Sequence, residues 1–297
     1  MRLLIAGWQG QLARALVEQA PGASDIDALA VGRPALDLCE PASITRAMTD
    51  FRPDVIINTA AYTQVDKAET EPAAAFSLNR DGARLLAVAA ARRNAAIIHI
   101  STDYVFDGSK SGAYLEDDPT APRNVYGRSK LEGEVAVRDA NPRHVVIRTS
   151  WVYSATGRNF VRTMLERARN GHPINVVADQ FGAPTYAPHL ATAVLDVARR
   201  IVASTRSGGD PVWGTYHAAG GGFTSWHGLA AEIFRVSALR GGPVASVAAI
   251  PSSGYPTLAS RPANSRLDCS KITQTFGVAL PTWQSGVDEC VQRLLAT

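Results

Sequence analysis

The sequence predicts an α/β protein: a doubly wound parallel sheet with a smaller lobe at its carboxyl end. Three observations point there. Short apolar runs alternate with helical patterns through the first half of the chain, as βαβ units require. A glycine-rich turn separates the first apolar run from the first helical pattern. The second half is less regular, with glycine and proline dense over 241–262, as in loops that line a site.

Residues 2–6 read as a buried strand and 11–20 as a helix, with Leu12, Ala15, Leu16 and Gln19 drifting round one side. A strand is expected over 26–31, a helix over 41–51 and a strand over 54–58. The Ala-rich stretch 71–93 reads as one long helix, followed by strand 96–100, helix 124–139 and strand 144–148. Right-handed crossovers between such units restrict the sheet to a doubly wound form. Beyond it, 157–170 reads as a helix, 174–177 as a strand, 188–204 as an amphipathic helix and 205–210 as a loop. A further helix is expected over 224–236, with Thr224 as its N-cap. No repeat or long linker separates the halves, so the lobe is expected to pack on the sheet.

A chain of 297 residues suffices for one large α/β domain or two intimate lobes. Its 46% hydrophobic and 19% charged residues are those of a globular protein. The 30 basic residues are scattered and the net charge is +3, which argues against a nucleic-acid platform or a polybasic membrane tail. No apolar stretch nears the roughly 20 residues of a membrane helix, and the opening MRLLIAG is too short for a signal-peptide core. Widely spaced Cys39, Cys269 and Cys290 suggest reduced thiols in a cytoplasmic protein. The histidines show no ligand spacing, and His99 and His144 lie in apolar strand runs, so no metal is expected.

Gly7-Trp8-Gln9-Gly10-Gln11-Leu12-Ala13 follows the first strand and opens a helix. Such a turn lets backbone approach a diphosphate, which the helix N-terminus binds through unpaired N–H groups. A tight turn without a ligand is the competing reading. The second strand exits into Gly32-Arg33 with no acid at its end, which favours the 2′-phosphate of NADPH; a solvated surface arginine is the alternative. Asp37 and Leu38 stand where they could flank the adenine.

Tyr126 and Lys130 are i and i+4 of the expected helix 124–139, hence on one face. A tyrosine titrates near 10 in water, and a neighbouring ammonium is expected to lower that value and tune the phenol for acid–base work. The strand before it ends Ser101-Thr102-Asp103, where a hydroxyl could bridge the tyrosine and a substrate carbonyl and Asp103 could anchor sugar hydroxyls. Capping or turn roles compete at each. Arg261 and Arg266 stand in a Pro-flanked loop, and guanidinium groups suit a diphosphate as well as ordinary solvation. Trp151 suits either core or ligand, while Trp226 and Trp283 are expected to pack the second lobe.

These motifs resemble the extended short-chain dehydrogenases/reductases that act on nucleotide sugars. Six ordered blocks, 58–69 (NTAAYTQVDKAE), 101–108 (STDYVFDG), 124–130 (NVYGRSK), 148–153 (RTSWVY), 179–185 (DQFGAPT) and 261–267 (RPANSRL), are similar to the dTDP-4-dehydrorhamnose reductase family. The likeness runs from Met1 to about Leu295.

The resemblance implies a Rossmann-type cofactor domain over 1–150, with part of 178–215 returning to it, and a mainly substrate-binding lobe over 151–297. It implies reduction of the C4 keto group of dTDP-4-dehydro-6-deoxy-L-mannose to dTDP-L-rhamnose by NADPH or NADH, in nucleotide-sugar biosynthesis for cell-surface polysaccharide. Gly10, Gln11 and Leu12 then match the diphosphate loop, Asp37 and Leu38 the adenine side, and Ala61, Tyr62 and Thr63 the loop lining the cofactor. Tyr126 matches the proton donor, Lys130 its partner, Thr102 and Asp103 the substrate-contacting pair, and Trp151 an aromatic at the sugar or base.

Two departures stand out. The acid frequent after the second strand is missing, which disfavours NADH. Ala15 replaces a glutamate that in some members joins a magnesium-linked dimer, so a monomer or weak homodimer is expected. Three alternatives share much of this pattern: a sibling dTDP-4-keto-6-deoxysugar reductase of a secondary-metabolite pathway, an epimerase, and a non-catalytic NADP-binding regulatory homologue. The intact Tyr126–Lys130 pair argues against the last. Thr102 is followed by Asp103-Tyr104 rather than two acids, which argues against a dehydratase.

Overall fold

The computed structural model describes residues 1–20, 25–171, 173–207 and 212–296. The first half contains β1 (Arg2–Ala6), α1 (Gln11–Gln19), β2 (Asp27–Val31), α2 (Pro41–Phe51), β3 (Val55–Asn58), α3 (Val65–Thr70), α4 (Pro72–Phe76), α5 (Ala83–Ala91), β4 (Ala96–Thr102), α6 (Val125–Ala140) and β5 (His144–Thr149). There follow β6 (Val152–Tyr153), α7 (Phe160–Arg169), β7 (Ile174–Val177), β8 (Phe181–Gly182), β9 (Thr185–Tyr186), α8 (Ala187–Ser207), β10 (Gly214–His217) and β11 (Thr224–Ser225). The chain ends with α9 (Trp226–Leu239), β12 (Val247–Ile250), β13 (Asn264–Ser265), α10 (Ser270–Phe276) and α11 (Trp283–Leu295).

Six strands form a parallel sheet in the order β10-β5-β4-β3-β1-β2. Strands β1, β3, β4 and β5 are buried on both faces because helices cover both. On one side Leu3, Ile5, Ile57, Ile98 and Ile147 pack against α1 and α8. On the other, Leu4, Ile56 and Ile97 meet α2 and α5. A second core joins α7, α9 and α11, with Trp283 inside it. Thus α8 and β10, late in sequence, complete the central sheet and its covering layer.

The strand expectations hold closely, while several helices differ. The stretch expected as one helix over 71–93 is α4, a π turn over Ser77–Gly82 and α5. Pro72 can start a helix but cannot continue one from α3. Helix α8 runs through Ser207, into the expected loop 205–210, whose last three residues lie outside the described ones. The N-cap of α9 is Ser225, whose hydroxyl accepts from Gly228 N at 3.0 Å. Thr224 instead pairs across the sheet with Gly182. Among the described residues, no helix is long and apolar enough to cross a membrane.

Candidate active site

Strand β1 delivers the chain to a turn built for close approach. Gly7 has φ 106°, its N–H donates to Val31 O at 2.8 Å, and a Cβ there would fall 2.6 Å from Thr59 Oγ1. Gly10 differs: its backbone is ordinary (φ −66°) and nothing stands within 4 Å of where its Cβ would be. It leads into α1, which has no side-chain cap. Open space above uncapped amides fits a dinucleotide diphosphate. Leu12 is buried in the core. The Gln11 side chain is occupied, donating to Val152 O (3.3 Å) and accepting from Ser154 Oγ (3.1 Å) and Asn159 Nδ2 (2.9 Å). It ties the turn to β6 and to the N-cap of α7, so any diphosphate contact at this position falls to its backbone.

Arg33 is exposed at the exit of β2. The Asp37 carboxylate is half-buried and accepts from Cys39 N at 3.0 Å, and Leu38 is buried. Ala61 and Tyr62 are half-buried and Thr63 exposed. Their loop is clamped by Asn79, which accepts from Tyr62 N (2.8 Å), donates to Tyr62 O (3.1 Å) and donates to Ser129 Oγ (2.8 Å). Sequence reasoning missed Asn79. Its one signal is a polar side chain inside an Ala-rich run, and the π turn aims it inward.

Helix α6 begins at Asn124, whose side chain accepts from Gly127 N at 2.7 Å. Its first turns carry Tyr126 and Lys130 against the carboxyl end of β4. Close packing there depends on glycine: a Cβ on Gly127 would fall 2.2 Å from Tyr104 O, and one on Gly133 2.1 Å from Asn79 O. Tyr126 meets the Tyr104 ring edge-on at 5.8 Å. Its phenol was expected to titrate low, but burial pushes it up to about 12; the Thr102 hydroxyl lowers it and Asp103 raises it. The ammonium does not offset this because Lys130 turns to the sheet, donating to Ile100 O at 2.6 Å and lying 3.4 Å from His99 Nε2. Burial pulls Lys130 down to about 8, against the raising effect of Glu134.

Thr102 donates to Asp103 Oδ1 at 2.9 Å. The Asp103 carboxyl is pushed up to about 6, first by burial, and its Oδ2 is buried without a completed hydrogen bond. A cavity of about 210 Å³ has a lining that includes Phe160, Arg167, Gln180, Trp226, Tyr255 and Arg261. Apart from Arg261 these are residues that the sequence left without a ligand role. Trp151, at φ 47°, stacks on Trp226 at 3.6 Å and presses on Gly182, where a Cβ would fall 2.5 Å from its ring. A non-glycine residue held there is strained, and the stack pins it. Arg261 lines the cavity and grips Asp66 bidentately, at 3.1 and 2.7 Å. Arg266, expected beside it, turns back to Asn264 and Ser111 and is absent from that lining. Among the described residues, no group of three or more His, Cys, Asp or Glu could hold a metal.

A parallel sheet with a glycine-rich first turn and a Tyr-x-x-x-Lys helix beside β4 defines the class of Rossmann-type reductases and epimerases. The family model described as RmlD substrate binding domain matches residues 1–296. The chain belongs to this family of dTDP-4-dehydrorhamnose reductases. It is 48% identical to the dTDP-4-dehydrorhamnose reductase of Sinorhizobium fredii, covering 99% of this chain and 98% of that one. It is 42% identical to a Streptomyces antibioticus protein named a probable dTDP-4,6-dihydroxy-2-methyloxan-3-one 4-ketoreductase, over 100% and 96% of the two chains. Among solved structures, it matches a Clostridium acetobutylicum dTDP-4-dehydrorhamnose reductase with TM-score 0.91 and 33% identity, both chains being fully covered. The Bacillus anthracis enzyme, solved in complex with NADP, matches with TM-score 0.88 and 33% identity over 100% and 99% of the chains.

Proposed function

We propose that this protein reduces the C4 keto group of dTDP-4-dehydro-6-deoxy-L-mannose to dTDP-L-rhamnose, with NADPH as reductant. The observation that carries the reading is Tyr126, beside Thr102 and Asp103 at the carboxyl end of β4, in a chain of this family. NADPH, when bound, supplies the hydride for C4; the glycine turn, the uncapped α1 and Arg33 are the groups to hold it. Tyr126 keeps its proton at neutral pH and donates it to the C4 oxygen. Lys130, its partner on the same face of α6, is the group to hold the nicotinamide ribose hydroxyls. Thr102 positions the carbonyl, and Asp103 accepts from sugar hydroxyls. The second-lobe cavity offers aromatic faces for thymine and Arg167 and Arg261 for a diphosphate. Binding of that remote nucleotide orients the keto carbon, so part of its energy appears in kcat. Three free thiols suit the reducing cytoplasm.

The Streptomyces relative favours one second reading, reduction of a sibling dTDP-4-keto sugar, since the same blocks serve either substrate. NADPH oxidation followed with a panel of dTDP-4-keto-6-deoxy sugars separates them. The rhamnose precursor is expected to give the highest kcat/KM. No turnover with any member of the panel would sink both readings.

A further inference from the structure

The guanidinium of Arg261 is held from outside the cavity that it lines. Both of its terminal nitrogens donate to the Asp66 carboxylate of α3, Nη1 to Oδ1 at 3.1 Å and Nη2 to Oδ2 at 2.7 Å. Nη1 also donates to Ala259 O at 3.4 Å. Asp66 Oδ1 accepts in turn from Ala259 N at 3.1 Å, so one carboxylate fixes both the side chain and the backbone two residues before it. Asn124, the N-cap of α6, donates to Ser260 O at 2.8 Å, and Glu69 of α3 accepts from Val125 N at 2.7 Å. Residues 259–261 are thereby tied to α3 and to the start of the helix that carries Tyr126. The charge of Arg261 reaches the Tyr104 phenol, whose ring meets Tyr126 edge-on.

A guanidinium carries its N–H groups as two forks on adjacent edges. Asp66 takes the fork made by the two terminal nitrogens, and Ala259 O takes the outer hydrogen of Nη1. What is left is the second fork, Nε–H beside the outer N–H of Nη2. We propose that Asp66 is a positioning residue for substrate binding: it occupies one fork of Arg261 and so presents the other to a single phosphoryl group of a nucleotide diphosphate in the cavity. This deepens the reading above and rests on that cavity taking the diphosphate. The Asp66 carboxylate also repels an anion. Its side chain is 43% exposed, however, so water and salt screen that repulsion. A preset fork saves the cost of ordering a long side chain when the ligand binds. Selection then follows shape as well as charge, and a lysine, which offers charge without a fork, is no substitute.

Calorimetric titration of dTDP into the NADPH-saturated protein tests this. Asp66→Asn leaves an amide oxygen for Ala259 N but removes the two-pronged acceptor. It should weaken dTDP binding by about five- to tenfold in the parent, and by under about twofold in an Arg261→Ala background. Its NADPH Kd should stay, although the cofactor loop runs straight into α3. Equal losses of dTDP affinity in the two backgrounds, or a parallel loss of NADPH affinity, would mark Asp66 as structural and overturn the proposal. Tighter dTDP binding by Asp66→Asn would overturn it as well, since the carboxylate would then be competing for the guanidinium. Arg261→Lys tests the fork with Asp66 untouched and should lose as much affinity as Arg261→Ala. Should it keep the parent affinity, charge suffices and the proposal fails. Failure of the underlying reading looks different: Arg261→Ala itself would bind dTDP as tightly as the parent, which removes the diphosphate from this cavity and the role of Asp66 with it.

Discussion

Burial pushes the Tyr126 phenol up to about 12, so the residue carries its proton throughout the physiological range. That suits an acid in the reductive direction. Tyr126→Phe should lower turnover by roughly 10²–10⁴-fold. Its NADPH affinity, read by fluorescence titration, should hardly change; near-native turnover would refute the assignment. Asp103 offers a test in stability. Its carboxyl is pushed up to about 6 from 3.8 by burial. The native state therefore binds more protons than the unfolded state between those values, and stability falls as pH rises through that window. Asp103→Asn should relieve about 3 kcal/mol at pH 7.5 and far less at pH 4. Thermal scans at the two pH values check this, and equal stabilisation at both would show that ionised Asp103 costs nothing.

Within the elements, the two turn glycines do different work. Gly7 is confined by its backbone and by Thr59, whereas Gly10 has an ordinary backbone and open space. Gly10→Ala should thus leave thermal stability within about 0.5 kcal/mol of the parent, while NADPH Kd rises by about tenfold as the methyl enters the diphosphate space. A stable variant with unchanged Kd would place the cofactor elsewhere. At the exit of β2, Arg33→Ala should remove a charge-assisted hydrogen bond to a 2′-phosphate, about 1.5–3 kcal/mol. The KM for NADPH then rises by roughly tenfold or more and that for NADH stays. Equal efficiency of the parent with both cofactors would refute this. The spacing of Tyr126 and Lys130 was legible because helical periodicity is a local property. The break at Pro72 was legible in principle, but the π turn that aims Asn79 was not, because it depends on what α6 presents to it.

Across the whole molecule, Arg261 links α3 to the cavity, bound to Asp66 from 195 residues away while lining that cavity. Arg261→Ala should weaken dTDP binding by about tenfold in calorimetry with NADPH saturating. Arg266→Ala should leave it unchanged, since Arg266 is absent from the lining of that cavity. Identical losses in both variants would mean that the diphosphate lies outside this cavity. The sequence alone determined strands β1 to β5, the glycine turn and the Tyr126–Lys130 face, because apolar runs, a backbone that must approach a ligand, and a 3.6-residue period are written in neighbouring residues. Tertiary structure alone decided the rest. It chose which of two similar arginines reaches the cavity, stacked Trp151 on Trp226, and pushed the Tyr126 phenol up instead of down. Each of those depends on burial or on a partner distant in the chain, and neither quantity exists until the lobes are packed.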